Sequence, residues 1–274
     1  MTSLPFDPPV VGPDVEFVRV PVVVEAPQHS GLWGALDYRH PTPLPAGTLV
    51  RVPLGRRVVT GVVWDAVAED AASASFDLAD LKDLIEVLPD LPALPASWRQ
   101  LVSFAAGYYQ RSLGEMALMV LPPELRQLDA VQWARRRKRL DKALAAFLPA
   151  AEPAPLPELT PQQAEALQAL AGPCTQPYLL WGNTGSGKTE VYLRQAQRTL
   201  DQGHQVLMMV PEINLTPQLE ARVAERFAGR RIVSLHSGLT PAQRLRNWLL
   251  AHLGAADIVL GTRLSVFTPL PSPG

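Results

Sequence analysis

The stretch Gly182-Asn183-Thr184-Gly185-Ser186-Gly187-Lys188-Thr189 constrains this chain more than any other. It matches the pattern G-x-x-x-x-G-K-[ST] in full. In such a loop the glycines let successive backbone amides turn inward around phosphate oxygens. The lysine reaches the β- and γ-phosphates, and the following hydroxyl ligates Mg²⁺. The context agrees: Tyr178-Leu-Leu-Trp181 reads as a strand before the loop, and a helix follows from about Lys188 to Leu200, stopped near Gly203. The pattern predicts an ATP site with Mg²⁺, built from residues 182 to 189 and the adjoining Glu190. Lys188 and Thr189 are the only catalytic groups it supplies, an incomplete set.

Strand–helix alternation continues after the loop. Gln205 to Val210 reads as a buried strand, and Leu219, Val223 and Phe227 mark one face of a helix. Arg231 to Leu235 is a strand, Thr240-Pro-Ala-Gln243 starts a helix with Thr as cap and Pro at its first position, and Asp257 to Gly261 is a strand. Such alternation implies a parallel sheet covered by helices.

The front of the chain has a different rhythm. Val18 to Val24, Leu49 to Val52 and Val58 to Trp64 are short, β-branched and separated by Pro/Gly turns, which predicts a small antiparallel sheet or barrel. Residues 80–88 could add a strand or a short helix. From Ser97, a plausible cap, Leu101, Phe104, Ala105 and Tyr108 lie at helical spacing, and a second short helix fits 112–120 before Pro122-Pro123. Arg135 to Arg139 is a basic run on helix-compatible sequence, either a solvated face or a grip on DNA. The Pro/Ala stretch Pro149 to Glu158 reads as a linker. The expected domains are therefore a disordered lead-in 1–14, a small β domain 15–96, a helical connector 97–126, a linker 127–158 and a P-loop lobe 159–274.

Composition excludes several classes. A formal net charge of −1 means that any nucleic-acid contact must use local basic patches. The single cysteine, Cys174, forms neither an internal disulfide nor a cysteine zinc site alone, as suits a reducing cytosol. No apolar run approaches the ~20 residues that span a bilayer, and the first residues carry no signal pattern. A cytoplasmic protein with no membrane partner is the expectation.

Four further motifs accompany the P-loop: Leu159-Thr-Pro-Gln-Gln163, Val210-Pro-Glu-Ile-Asn-Leu-Thr-Pro-Gln218, Leu235-His-Ser-Gly-Leu239 and Gly261-Thr-Arg-Leu-Ser-Val-Phe-Thr-Pro269. With Thr184 to Tyr192 they closely resemble the PriA family of replication-restart helicases. Toward the front, Leu36-Asp37-Tyr38, Arg51 to Gly55 and Leu81-Lys82 resemble that family's 3′-end-binding domain. The resemblance spans nearly the whole chain and weakens across 126–158.

The resemblance implies roles for matching positions. Gln163 would read the adenine edge, although Thr160-Pro-Gln-Gln163 is also a capping box. Thr216, Thr262 and Arg263 would track a DNA strand, although Thr216-Pro217 is also a plausible helix start. Leu36, Asp37, Gly55 and Lys82 would form the pocket for a terminal 3′-nucleotide, with Leu36 standing where the family usually has a stacking aromatic. An aromatic there is worth ~1–3 kcal/mol per base, so end binding would be weaker. The implied partners are forked DNA with a 3′ end, single-stranded DNA, primosome proteins and single-stranded-DNA-binding protein. The family's two zinc ions, its Asp-Glu strand and its second lobe have no counterpart here, so hydrolysis by this chain alone is not expected. The readings are thus the ATP- and DNA-binding part of a 3′–5′ helicase, or a non-catalytic DNA-end-binding primosome protein that keeps a nucleotide site. A small-molecule kinase would leave the Pro-Glu-Ile motif unexplained.

Overall fold

A computed structural model of the chain describes residues 16–26, 33–65, 78–146, 156–172, 177–212 and 215–274. The expected lead-in 1–14, Cys174 and most of the Pro/Ala stretch 149–158 lie outside these residues. The chain divides into two compact units, residues 1–119 and 120–274.

The first unit is built on β1 (Val18–Val24), β2 (Leu36–His40), β3 (Leu49–Leu54), β4 (Arg57–Val63) and β5 (Glu86–Val87). These strands pair antiparallel, in the order β2-β1-β4-β3-β5, and a parallel bridge joins Arg39 to Asp83. Alternating residues of β1, β3 and β4 meet Tyr38 and Leu84 in one apolar cluster. The sheet curls until its edges share a segment. The Arg39 amide donates to Lys82 O at 3.0 Å, the Leu84 amide to Arg39 O at 3.0 Å, and the Ile85 amide to Arg51 O at 2.9 Å. Residues 82–87 therefore take hydrogen bonds at both edges of the sheet. Strand β2, carrying Asp37, has no strand signal in its sequence, because Asp-Tyr-Arg-His contains no β-branched residue.

Helices α1 (Ala96–Tyr109) and α2 (Leu113–Met119) belong to this unit. Ser97 is not the cap: Pro95 holds that place, without a side-chain bond. The buried face of α1 is Trp98, Val102, Ala105 and Ala106, whereas Phe104 and Tyr108 are exposed. The Trp98 ring meets Trp64 edge-on at 6.4 Å and turns the helix by about one residue from the expected face. Arg99 fastens α1 to the sheet, donating to Asp65, Ala46 O and Leu94 O. Its hydrogen bonds hold the Asp65 carboxyl below the usual carboxylate range.

The second unit contains α3 (Ala130–Ala145), α4 (Pro161–Ala169), α5 (Lys188–Asp201), β6 (Val206–Met209), α6 (Pro217–Arg226), β7 (Ile232–Leu235), α7 (Pro241–His252) and β8 (Ile258–Gly261). Its sheet is parallel, in the order β6-β8-β7. Central β8 is buried along its whole length, which explains its unbroken Ile-Val-Leu run. Leu193, Ala196 and Leu200 of α5 pack with Val223, Phe227 and Ile258. Three helices start on a threonine followed by proline: Thr160, Thr216 and Thr240 each accept from a backbone amide in the first turn.

Two expectations fail here. Residues 178–181 form no strand, and Leu179 and Trp181 are 83% and 88% exposed. Strand β6 is not buried either, with Met209 exposed at its end. Strand β6 lies at the sheet's edge. The outer edge of β6 meets only the Gln205–Pro273 bridge, and residues 178–181 join no strand of the sheet among the described residues.

Gly114 lies where α2 crosses β1. A Cβ there would run into the backbone of Val24. Gly114→Ala should destabilise the first unit by about 1–3 kcal/mol, as overpacking does. A denaturant midpoint unchanged from the parent would show that the crossing can relax.

Candidate functional site

The P-loop residues 182–187 lead directly into α5, whose first residue is Lys188 and whose N-cap is Gly187. Gly185 and Gly187 have φ of 84° and 82°, a region costly for any side chain, which accounts for glycine at these two loop positions. The amides of Lys188 and Thr189 at the start of α5, with the helix dipole, make this end a favourable place for phosphate. Lys188 Nζ donates to Gly182 O at 2.6 Å and Asn183 O at 2.8 Å. The ammonium is thus held over the mouth of the loop. Residues 182–186 and Thr189 are exposed, so the cradle and the Thr189 hydroxyl are accessible.

Gln163 is held against this loop. Its Oε1 accepts from the Thr160 amide at 2.8 Å, closing the capping box, and its Nε2 donates to Gly187 O at 3.1 Å. The amide group serves the helix cap and the P-loop at once. Glu190, the last residue of the predicted ATP set, points elsewhere. Its Oε1 accepts from Arg194 Nε at 2.8 Å and from Arg226 Nη2 at 3.0 Å. Glu190 and Arg226 side chains are 15% and 10% exposed. Nothing in the sequence announced Arg226, which comes from α6, thirty-six positions downstream.

The other motifs collect at the carboxyl ends of β6, β7 and β8, where parallel sheets place ligands. The Val210 amide donates to Gly261 O at 2.9 Å and the Thr262 amide to Leu235 O at 3.2 Å. Ser237 donates to Glu212. Ser265 Oγ donates to Leu235 O at 3.1 Å. Thr216 caps α6, accepting from the Leu219 amide at 3.3 Å. Arg263 is exposed and has no ion pair among the described residues. Ile213 and Asn214 of the Pro-Glu-Ile motif lie outside the described residues.

In the first unit Asp37 lies on β2 opposite Pro21. Its carboxylate is not isolated: Arg19 Nε stands 2.7 Å from Oδ1, and the Asp37 side chain is 19% exposed. Leu36, half-buried, packs against the barrel core. Lys82 is exposed, and its carbonyl is bonded to the same strand as Asp37. Gly55, with φ of 60°, makes the two-residue turn between β3 and β4. Tyr38 Oη donates to Pro53 O at 3.1 Å and so ties β2 to the start of that turn; burial pushes its phenol pKa up.

Comparison with known proteins matches residues 21–122 to a 3′ DNA-binding domain and residues 160–271 to the DEAD/DEAH box helicase domain. The chain is 31% identical to the replication restart protein PriA of Rickettsia conorii over 244 residues, 87% of this chain and 34% of that protein. It is 48% identical over 121 residues to that of Synechocystis, covering 43% and 14% of the two chains. It is 50% identical over 97 residues to that of Haemophilus influenzae, covering 35% and 13%. A 3′ DNA-binding domain followed by a DEAD/DEAH box helicase domain is the order in which these matches fall along the chain. The chain belongs to the PriA family of replication restart proteins. It spans about a third or less of the length of these relatives.

The Glu190–Arg226 pair joins the helix after the P-loop to the helix capped by Thr216. Arg226→Leu should lower stability by about 1–3 kcal/mol, since it removes one partner of a largely buried charged bond. In a double-mutant cycle with Glu190→Gln the two losses should not add. Strict additivity in urea unfolding would show that the pair contributes nothing.

Proposed function

We propose that this chain is the ATP- and DNA-binding part of a replication-restart helicase, one that recognises a fork by its 3′ DNA end. The P-loop carries the reading: two left-handed glycines and the start of a long helix present amides and one ammonium to the same small volume. Residues 182–188 would hold the phosphates, Thr189 the Mg²⁺, and Gln163 the adenine edge while it fixes Gly187. ATP with Mg²⁺ supplies the phosphoanhydride whose cleavage powers such motors. Lys188 would exchange its bonds to Gly182 O and Asn183 O for phosphate oxygens. At the carboxyl ends of β6 and β8, Thr216, Thr262 and Arg263 offer hydroxyls, amides and one cation. These are the groups that bind a DNA backbone without reading its sequence.

In the first unit, Asp37 would accept a hydrogen bond from a free 3′-hydroxyl, beside Leu36, Gly55 and Lys82. Primosome proteins and single-stranded-DNA-binding protein are the partners this reading implies. The second reading, a DNA-end-binding protein that holds nucleotide without hydrolysing it, rests on one observation. The carboxylates nearest the motifs, Glu190 and Glu212, are engaged by Arg194 and Arg226 and by Ser237.

Lys188→Ala should abolish binding of a fluorescent ATP analogue, and binding equal to the parent's would remove the P-loop from the account. The purified chain should bind nucleotide and release no phosphate; release stimulated by single-stranded DNA and lost in Lys188→Ala would favour the motor reading. A fork ending in 3′-OH should bind more tightly than one ending in 3′-phosphate at the same salt concentration. Equal affinities, or a preference that survives Asp37→Ala, would sink the end pocket.

A further inference from the structure

The basic run singled out in the sequence is part of α3, a sixteen-residue helix fixed at its start by a full capping box from Asp129 and Gln132. The helix carries six cations against one carboxylate, a net +5, in a chain whose formal net charge is −1. The one carboxylate, Asp141, is bonded to Arg137 at 3.0 Å. The cations are not spread evenly. At 100° per residue, Arg135, Lys138, Arg139 and Lys142 fall within one face about 100° wide. The buried residues Trp133 and Leu140 fall on the opposite face. Leu144, on that same buried side, lines a cavity of about 560 Å³ with Phe227 and Leu250. The apolar side of α3 therefore docks on its own unit, and the cationic side faces outward.

All four of these cations are exposed, and none has an ion pair among the described residues. From Arg135 to Lys142 the stripe runs about 10 Å along the helix at 1.5 Å per residue. A DNA duplex carries one charge per ~1.7 Å of axis, so about six phosphates lie along the same length. Four long, flexible cations over that length match a phosphodiester backbone in charge and scale. A solvated face with no ligand would be expected to mix its signs; this one carries a single sign over two turns.

We propose that Arg135, Lys138, Arg139 and Lys142 of α3 form a second DNA-binding face, one that grips the phosphodiester backbone and reads no sequence. The proposal rests on the DNA-binding reading above for its choice of ligand, and uses none of the residues assigned there. The test is fluorescence anisotropy of the whole chain with a labelled 20-nucleotide single strand and a labelled 20-base-pair duplex, over a salt series. The comparison is with a variant combining Arg135→Ala, Lys138→Ala, Arg139→Ala and Lys142→Ala. Alanine is the best helix former, so the variant keeps α3, which far-ultraviolet circular dichroism checks.

At 0.7–0.9 counterions per phosphate contact, the slope of log affinity against log salt should shrink by about 3 in the variant. A drop with the single strand, the duplex or both supports the face and says which DNA occupies it. A matching variant with Arg135→Lys and Arg139→Lys should keep the parent's slope. If the parent binds DNA and the alanine variant keeps the same affinity and slope with both probes, the face is overturned while the broader reading stands. If the parent binds neither probe at low salt, the broader reading fails and takes this one with it.

Discussion

The amide of Arg39 donates to the carbonyl of Lys82, and the amide of Ile85 donates to the carbonyl of Arg51. These bonds let one short segment satisfy both edges of the first sheet, so its five strands curl instead of ending in open rows of donors and acceptors. The same requirement governs the second unit with a different outcome. Strand β8 has a partner on each side and is buried throughout. Strand β6 has a partner on one side, and at Gln205 its other edge meets only the bridge to Pro273 and the bonds to Ser272 and Gly274. Tyr178 to Trp181 carry the apolar residues of a buried strand but find no ladder, and Tyr178, Leu179 and Trp181 stay exposed.

The P-loop keeps its form without that ladder because it is anchored from the helix side. Gly187 is held by Gln163, and Glu190 by Arg194 and Arg226. Helix α6 is ten residues long, about 15 Å, and carries Thr216 at one end and Arg226 at the other. A single rigid element thus runs from a proposed DNA-contact residue to the turn that follows Thr189. A shift of α6 along its axis cannot leave Glu190 undisturbed, since Arg226 is 3.0 Å from it.

Signals of short range were legible in the sequence. The threonine–proline helix starts at 160, 216 and 240, the glycine turns of the P-loop and the alternating valines of β1 each depend on neighbours within a few residues. Signals of long range were not. The strand character of 178–181 depends on a partner that the local pattern cannot supply. The buried face of α1 depends on Trp98 meeting Trp64, which helical spacing alone does not fix. The Glu190–Arg226 and Asp37–Arg19 pairs join residues 36 and 18 positions apart, one across helices and one across strands. A net charge near zero coexists with a helix of net +5, which the basic run Arg135 to Arg139 made visible in the sequence.

The Asp37–Arg19 pair also changes the physics of the proposed end pocket. An isolated carboxylate would discriminate between a 3′-hydroxyl and a 3′-phosphate mainly by repulsion. With a guanidinium nitrogen 2.7 Å from Oδ1, the local charge is close to balanced, and a phosphate would meet a cation as well as an anion. Selectivity must then come from geometry: which of the two groups the terminal nucleotide reaches first, and whether the carboxylate can accept from a hydroxyl without giving up Arg19. A carboxylate has about four lone-pair sites, so a bond to Arg19 through Oδ1 leaves capacity for one more donor. Hydroxyl recognition and the ion pair are therefore compatible. Discrimination through this pair should depend less on salt than backbone binding does, because it rests on a directed bond at a mostly buried side chain and not on net charge.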